Sequence, residues 1–463
     1  MRLLKVLTFF TLAMELVFVL PAWAQQPEPA KKPLQQVQIL TLLMNVAPSH
    51  PVAVLVEERG IGFDVKDDFL QQVRLGGGDD ELTRALKSAK LMKPATVDLT
   101  AQARLVEVRQ HVVRGTIFFQ QKRDADAEVE YRTAVRLDPR NADLHVALSR
   151  ALSRQNKTDE AMAEAHEALR LNPASDFGHY SLGNALWQKG DLDGAVAEYR
   201  EALRLNPKND LAHLVLGVVL DDKGDFEGAI AEDREALRLN PKNDLAHLSL
   251  GGALDDKGNL QGAIAEYREA LRLNPQNGDA HYNLGLALGK KGDWDGEITE
   301  EREAIRLNPN DDSAHASLGA ALGNKGDWDR EIPEEREALR LNPNNSTAHG
   351  NLGFALGYKQ DWGGAVVEYR EVLHLKPKDG DAHNNLGVAL GHKGDLEGGI
   401  AEYREALRLN PNNSVAHNNL GSALEHKGDR QGALEEFRMA TTLDPKNATY
   451  QQNYQRMLQQ ENK

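Results

Sequence analysis

Histidine stands at positions 111, 145, 179, 213, 247, 281, 315, 349, 383 and 417, one every 34 residues. Imidazole is a common metal ligand, so ten in register first suggest metal binding. Equivalent residues of stacked helical repeats lie roughly 9 Å apart, the helix-packing distance, which is too far to share one ion. The expectation is therefore structural: each ring wedges between neighbouring helices and is hydrogen-bonded. Asp191, Asp193 and Gly194 imitate part of a calcium loop, but Lys189 and Arg200 stand where its two ends require carboxylates. There is no P-loop, GxGxxG, HExxH or nucleophile elbow, and no cysteine for thiol chemistry. The chain reads as a non-enzyme, with no catalytic, cofactor-binding or metal-binding residues expected.

The elements that position these side chains share their period. Proline recurs at 139, 173, 207, 241, 275, 309, 343, 377, 411 and 445, again in steps of 34, and ten such units fill 108–447. A fixed step of this length marks a repeat array in which each unit buries its apolar face against its neighbours. In the third unit Leu182 and Leu186 lie one turn apart on a first helix. Gly190 can take the left-handed conformation that ends it, and Asp191 can cap the next helix. Ala195, Tyr199 and Ala202 share one face of that second helix, where small residues allow close approach and the ring fills the gap. Pro207 stops it.

Leu182-Gly183, Ala195, Tyr199, Ala202 and Pro207 fall at the spacing of the tetratricopeptide repeat, and the chain resembles that family over 108–447. The resemblance implies an all-α fold: a right-handed superhelical solenoid of about ten helix-turn-helix repeats, preceded by a small helical domain. It also implies a concave groove lined by unit positions two, five, six, nine, twelve and thirteen of each first helix. Histidine replaces the family's early aromatic residue in every copy, and Arg114 replaces leucine in the first unit, as an end cap would allow. Residues 448–463 are expected to form a capping helix, with Tyr450, Tyr454 and Leu458 spaced to cover the last apolar face.

The sixth and seventh units place Glu297, Glu301, Glu331 and Glu335 where the pattern wants small or aromatic residues. Pro333 falls inside a helix of the seventh, costing roughly 3 kcal/mol unless the helix is shortened there. These two units are expected to be the soft point of the array, by drift among duplicated units or as a hinge.

Ahead of the repeats the chain changes character. Arg2 and Lys5 precede an apolar run at 6–20 and the small-residue ending Ala22-Trp23-Ala24, which predicts a secretory signal peptide at 1–24. The run is short for a membrane span and carries Glu15. The mature chain is expected to be periplasmic or secreted, with no membrane span after cleavage. Residues 25–33 read as a flexible leader, 34–92 as a small helical domain, and 93–107 as a linker and the start of the array. The small domain has N-caps at Ser49 and Asp79, helix ends at Gly60 and Gly76, and core residues such as Leu40, Leu43, Leu55, Val56, Phe69, Val73 and Leu82.

The groove positions vary along the array and suggest what it binds. Leu211, Leu214, Leu245 and Leu248 beside Asp221, Asp222, Asp255 and Asp256 predict a stretch that prefers basic, apolar segments. Further on, Asn283, Asn351, Asn385 and Asn419, interrupted by Ser317 and joined by Asn384 and Asn418, form an amide row that can pair with the backbone of an extended peptide. This row is similar to the asparagine ladder in the repeat domain of O-linked N-acetylglucosamine transferases. Tyr180, Trp187, Tyr282, Phe354 and Tyr358 add aromatic anchors. With 70 acidic against 55 basic residues and a net charge of −15, nucleic acid is not an expected partner. The expected function is a scaffold or adaptor for proteins or peptides without cofactor. The alternative is an auxiliary, substrate-presenting subunit of an envelope enzyme such as a glycosyltransferase, or of an export or assembly machine.

Overall fold

A computed structural model describes residues 63–89 and 99–461, together with residues 36, 39, 40, 43, 52, 53, 56, 57 and 61. The signal peptide expected at 1–24, the leader at 25–33, the caps at Ser49 and Gly60, and Leu55 lie outside the described residues. The chain is all-α and divides into two compact units, Met1–Leu273 and Asn274–Lys463.

The first unit opens with α1 (Asp67–Leu75), α2 (Asp80–Ser88) and the long α3 (Leu99–Gln120). There follow α4 (Asp124–Leu137), α5 (Ala142–Arg154), α6 (Thr158–Leu171), α7 (Asp176–Lys189), α8 (Leu192–Leu205), α9 (Asp210–Lys223), α10 (Phe226–Leu239), α11 (Asp244–Asp256) and α12 (Leu260–Leu273). The second unit holds α13 (Gly278–Lys290), α14 (Trp294–Leu307), α15 (Asp312–Asn324), α16 (Trp328–Leu341), α17 (Ser346–Tyr358) and α18 (Trp362–Leu375). It continues with α19 (Gly380–Lys393), α20 (Leu396–Leu409), α21 (Ser414–Lys427), α22 (Arg430–Leu443) and α23 (Ala448–Glu461). From α3 onward the helices pair as hairpins, one per repeat, and each hairpin packs on the next within its unit as a solenoid.

Local chemistry sets most boundaries of the array, as the third repeat shows. Gly190 ends α7 at φ +86°, with its N–H on the Trp187 carbonyl and that of Asp191 on the Leu186 carbonyl. The Asp191 carboxylate then accepts the Gly194 N–H at 2.9 Å and caps α8. After Pro207, Asn209 caps α9 by accepting the Ala212 N–H at 3.0 Å. Each cap contributes about 1 kcal/mol, and the same residues recur through the array. Between the paired helices Ala195, Tyr199 and Ala202 are fully buried, and burying a side chain of this kind contributes about 1.5–3 kcal/mol.

The structure refines four readings. Gly76 ends α1, but at φ −82°; Gly77 takes the left-handed conformation at φ +93°. Residues 34–92 do not keep a core to themselves: Leu43, Val56, Phe69, Val73 and Leu82 belong to one apolar cluster with Val108, Val112, Tyr131 and Leu148 of the first repeats. The helix of the first repeat begins at Leu99, inside the segment expected to hold the linker and the start of the array. Finally, α16 runs unbroken through Pro333, so the helix is not shortened there and the lost backbone donor remains a cost. At the far end of the second unit α23 closes the last face with Met457 and Tyr450 buried and Tyr454 packed alongside.

Candidate functional site

Both ring nitrogens are engaged in eight of the ten periodic histidines. His213 Nδ1 lies 2.6 Å from Glu232 Oε2, and Nε2 lies 3.2 Å from the Pro207 carbonyl. Both partners are acceptors, so only the doubly protonated ring donates to both. The pattern repeats at His145 with Glu164, His179 with Glu198, His247 with Glu266, His281 with Glu300 and His417 with Glu436. Each ring ties the first helix of its repeat to the second and to the loop before it. The hydrogen bond to Glu266 raises the pKa of His247 above its ordinary value against the opposing effect of burial. Glu198 of α8 is the acceptor for His179, while Glu201 and Arg204 form an exposed pair at 2.7 Å. Among the described residues no group of three or more His, Cys, Asp or Glu side chains is placed to hold a metal ion.

The apolar half of the expected binding stretch is core. Leu211, Leu214, Leu245 and Leu248 are all buried between helices of the first unit, which corrects their assignment to a peptide-facing surface. Tyr180 is likewise buried, its ring 5.6 Å from that of Tyr199, whose hydroxyl donates to Asn184 at 2.6 Å. Of the carboxylates, Asp222 accepts from the Trp187 indole at 3.1 Å, and Asp256 is exposed. A first-helix position that faces a groove in one repeat is covered in another by the packing of its neighbour, and the period alone cannot separate the two.

The amide row is partly spent on itself. Asn419 of α21 donates to Asn384 of α19 at 2.9 Å, Asn384 donates to Asn385 at 3.3 Å, and Asn453 of α23 donates to Asn418 of α21 at 2.8 Å. Position six of one repeat thus reaches position five of the repeat before it. Ser317 and Tyr282 follow the same rule; burial pushes the Tyr282 phenol up to about 12, opposed by its hydrogen bond with Ser317. Ala316 occupies position five before Asn351, and Asn351 turns to Glu335 of α16 instead, at 2.9 Å. Asn283, Asn351, Asn385 and Asn419 all remain half-buried, each reaching solvent on the first-helix side.

Phe354 and Tyr358 are 49 % and 61 % exposed and lie on one side of α17. Trp328, which opens α16, completes the cluster: it stacks on Tyr358 with ring centroids 4.3 Å apart and meets Phe354 edge-on at 5.9 Å. Sequence reasoning missed Trp328 because it belongs to a second helix; it also missed the glutamates that hold the histidines, although they recur with the same period nineteen residues on.

Hairpins of this length, stacked in register on a glycine, alanine and tyrosine interface, define a helical-repeat protein. The match to known repeats makes that specific: residues 112–176, 180–244 and 415–447 fit families described as tetratricopeptide repeat, and 253–292 and 392–428 fit one described as TPR repeat. The chain belongs to the tetratricopeptide-repeat family. Among solved structures it is similar to MamA, with 31% identity, 35% of this chain and 94% of that chain covered, and a TM-score of 0.33. It is similar to YrrB, described as a TPR protein with an unusual peptide-binding site, with 22% identity, 40% and 95% covered, and a TM-score of 0.35. It is also similar to the APC/C hetero-tetramer Cut9-Hcn1, with 14% identity, 92% and 97% covered, and a TM-score of 0.49. No curated protein matches it.

Proposed function

We propose that this chain is a non-enzymatic scaffold that holds a protein or an extended peptide against the first-helix face of its repeats, outside the cytoplasm. The observation that carries this reading is the amide succession of the second unit. Each carboxamide has two N–H donors and an oxygen with two lone pairs, and the bonds that Asn384, Asn385, Asn418 and Asn419 make within and between repeats engage only part of that capacity. An extended backbone offers donors and acceptors at a regular spacing, whatever its side chains. Phe354 and Tyr358 give such a partner an exposed aromatic anchor beside Asn351. Export rests on Arg2 and Lys5 ahead of the apolar run and on Ala22-Trp23-Ala24 after it.

The test is a pull-down from envelope extract with residues 25–463, beside a variant carrying Asn351→Ala, Asn385→Ala and Asn419→Ala, with retained proteins identified by mass spectrometry. A partner held by the parent and lost by an equally helical variant supports the reading. Identical retention by both removes the amide row from it. N-terminal sequencing of the protein from the envelope tests export, and an intact start at Met1 would overturn it.

A further inference from the structure

The second unit carries four carboxyls in the places its sister repeats give to alanine and tyrosine. Glu297 and Glu301 of α14 and Glu331 and Glu335 of α16 are 6 %, 0 %, 2 % and 0 % exposed. Elsewhere these positions hold pairs such as Ala263 with Tyr267 or Ala365 with Tyr369, and in the fourth repeat Ala229 with Asp233. Opposite them run glycines: Gly289 and Gly285 of α13 face Glu297 and Glu301, and Gly323 and Gly319 of α15 face Glu331 and Glu335. In most sister repeats the glycine at the place of Gly285 and Gly319 beds an aromatic ring; here it beds a carboxyl, as Gly217 does once in the first unit with Asp233.

These groups lack what a buried carboxylate needs. Both oxygens of Glu301, and one oxygen each of Glu297, Glu331 and Glu335, have no hydrogen-bond partner. Among the described residues Asn351 donates to the set, at Glu335 Oε1. The charges that act on Glu301 are those of Glu297, Glu300 and Asp311, and those on Glu335 are Glu331 and Glu334, all negative. The ionisable groups on the packed helices are occupied elsewhere: His281 holds Glu300, His315 holds Glu334, His349 holds Glu368, and Asp312 accepts from Asn342 and Asn345. Lys290, at the end of α13, is exposed. The apolar clusters nearby are small, Ile298 with Leu318, Ala321 and Leu322 in one and Ala316, Ala338 and Ala348 in another.

We propose that repeats six and seven form a proton-controlled joint: Glu297, Glu301, Glu331 and Glu335 pack as neutral acids, and their ionisation loosens the contacts of α13 with α14 and of α15 with α16. An isolated buried carboxylate is too costly to keep without donors, so the helices part to let water reach it. Burial lifts Glu297 and Glu331 to about 7, Glu335 to about 9 and Glu301 to about 10. The folded joint therefore binds protons that the opened one releases, so protection falls as pH rises from the ordinary carboxylate value through those values. Asn351 carries the change to the first-helix face, because its amide is held by Glu335.

Hydrogen exchange of the full chain, read by mass spectrometry at pH 5.5 and 8.5 and corrected for the chemical exchange rate, tests this. Segments 278–341 are expected to lose on the order of ten-fold protection for each proton released per pH unit, while 380–443 change little. A variant with Glu297→Gln, Glu301→Gln, Glu331→Gln and Glu335→Gln should keep its protection at both pH values. The His–Glu pairs are common to both proteins and cancel. A second variant, Glu297→Ala, Glu301→Tyr, Glu331→Ala and Glu335→Tyr, restores the alanine and ring of the sister repeats and should behave like the Gln variant, which keeps the test decisive if that variant folds poorly. Equal pH dependence in parent and folded variants, or a loss of protection spread evenly over the second unit, overturns the proposal.

Discussion

Gly183 of α7 lies against the ring of Tyr199 of α8 so closely that an added methyl would stand 2.8 Å from Cε1. The same contact joins Gly251 to Tyr267, Gly387 to Tyr403 and Gly421 to Phe437. A buried ring that cannot withdraw makes this overpacking, at about 1–3 kcal/mol, which outweighs the roughly 1 kcal/mol that alanine gains in helix propensity. Gly183→Ala is expected to lower stability in urea unfolding. Gly252→Ala, where an added methyl meets nothing within 4 Å, is expected to raise it by about 0.5–1 kcal/mol.

At the turn between paired helices glycine takes positive φ in seven repeats, Gly190 to Gly428, but the eighth has Gln360 at φ +62°. A side chain in that region costs roughly 1–2 kcal/mol. Gln360→Gly should stabilise the protein by about 1 kcal/mol after the entropy of glycine is set against it. A fall in the denaturation midpoint would contradict the assignment.

His247 and His417 are held above their ordinary pKa first by Glu266 and Glu436, with burial opposing. A raised folded value means that the imidazolium contributes fully below the unfolded value of 6.5 and that this contribution disappears as pH rises through the folded one. Titration of the ring resonances by NMR should place both above 6.5, and Glu266→Gln should move His247 downward alone.

The bond from Asn419 to Asn384 joins two repeats through side chains that neither the helix ladders nor the caps require. A double-mutant cycle with Asn419→Ala and Asn384→Ala should return a coupling of about 0.5–1.5 kcal/mol. A value near zero would mean that water serves both amides equally well.

Period, turn and cap were legible in the sequence, because they depend on residues close together in the chain. Pro207, Gly190, Asp191 and Asn209 act within four residues of themselves, and the spacing of Ala195, Tyr199 and Ala202 puts them on one helical face before any partner helix is known. The family and the all-α class followed from those alone. Tertiary structure decided which first-helix residues are surface and which are core: it buried Leu211, Leu214, Leu245 and Leu248, paired Asn351 with Glu335, and set Trp328 on Tyr358. It also placed four glutamates in an interface that sequence reasoning had only judged to be weak. Burial and partnership at each of these positions depend on side chains from the adjoining repeat, about 16 to 35 residues away, and a one-dimensional period gives every copy the same address but not the same neighbours.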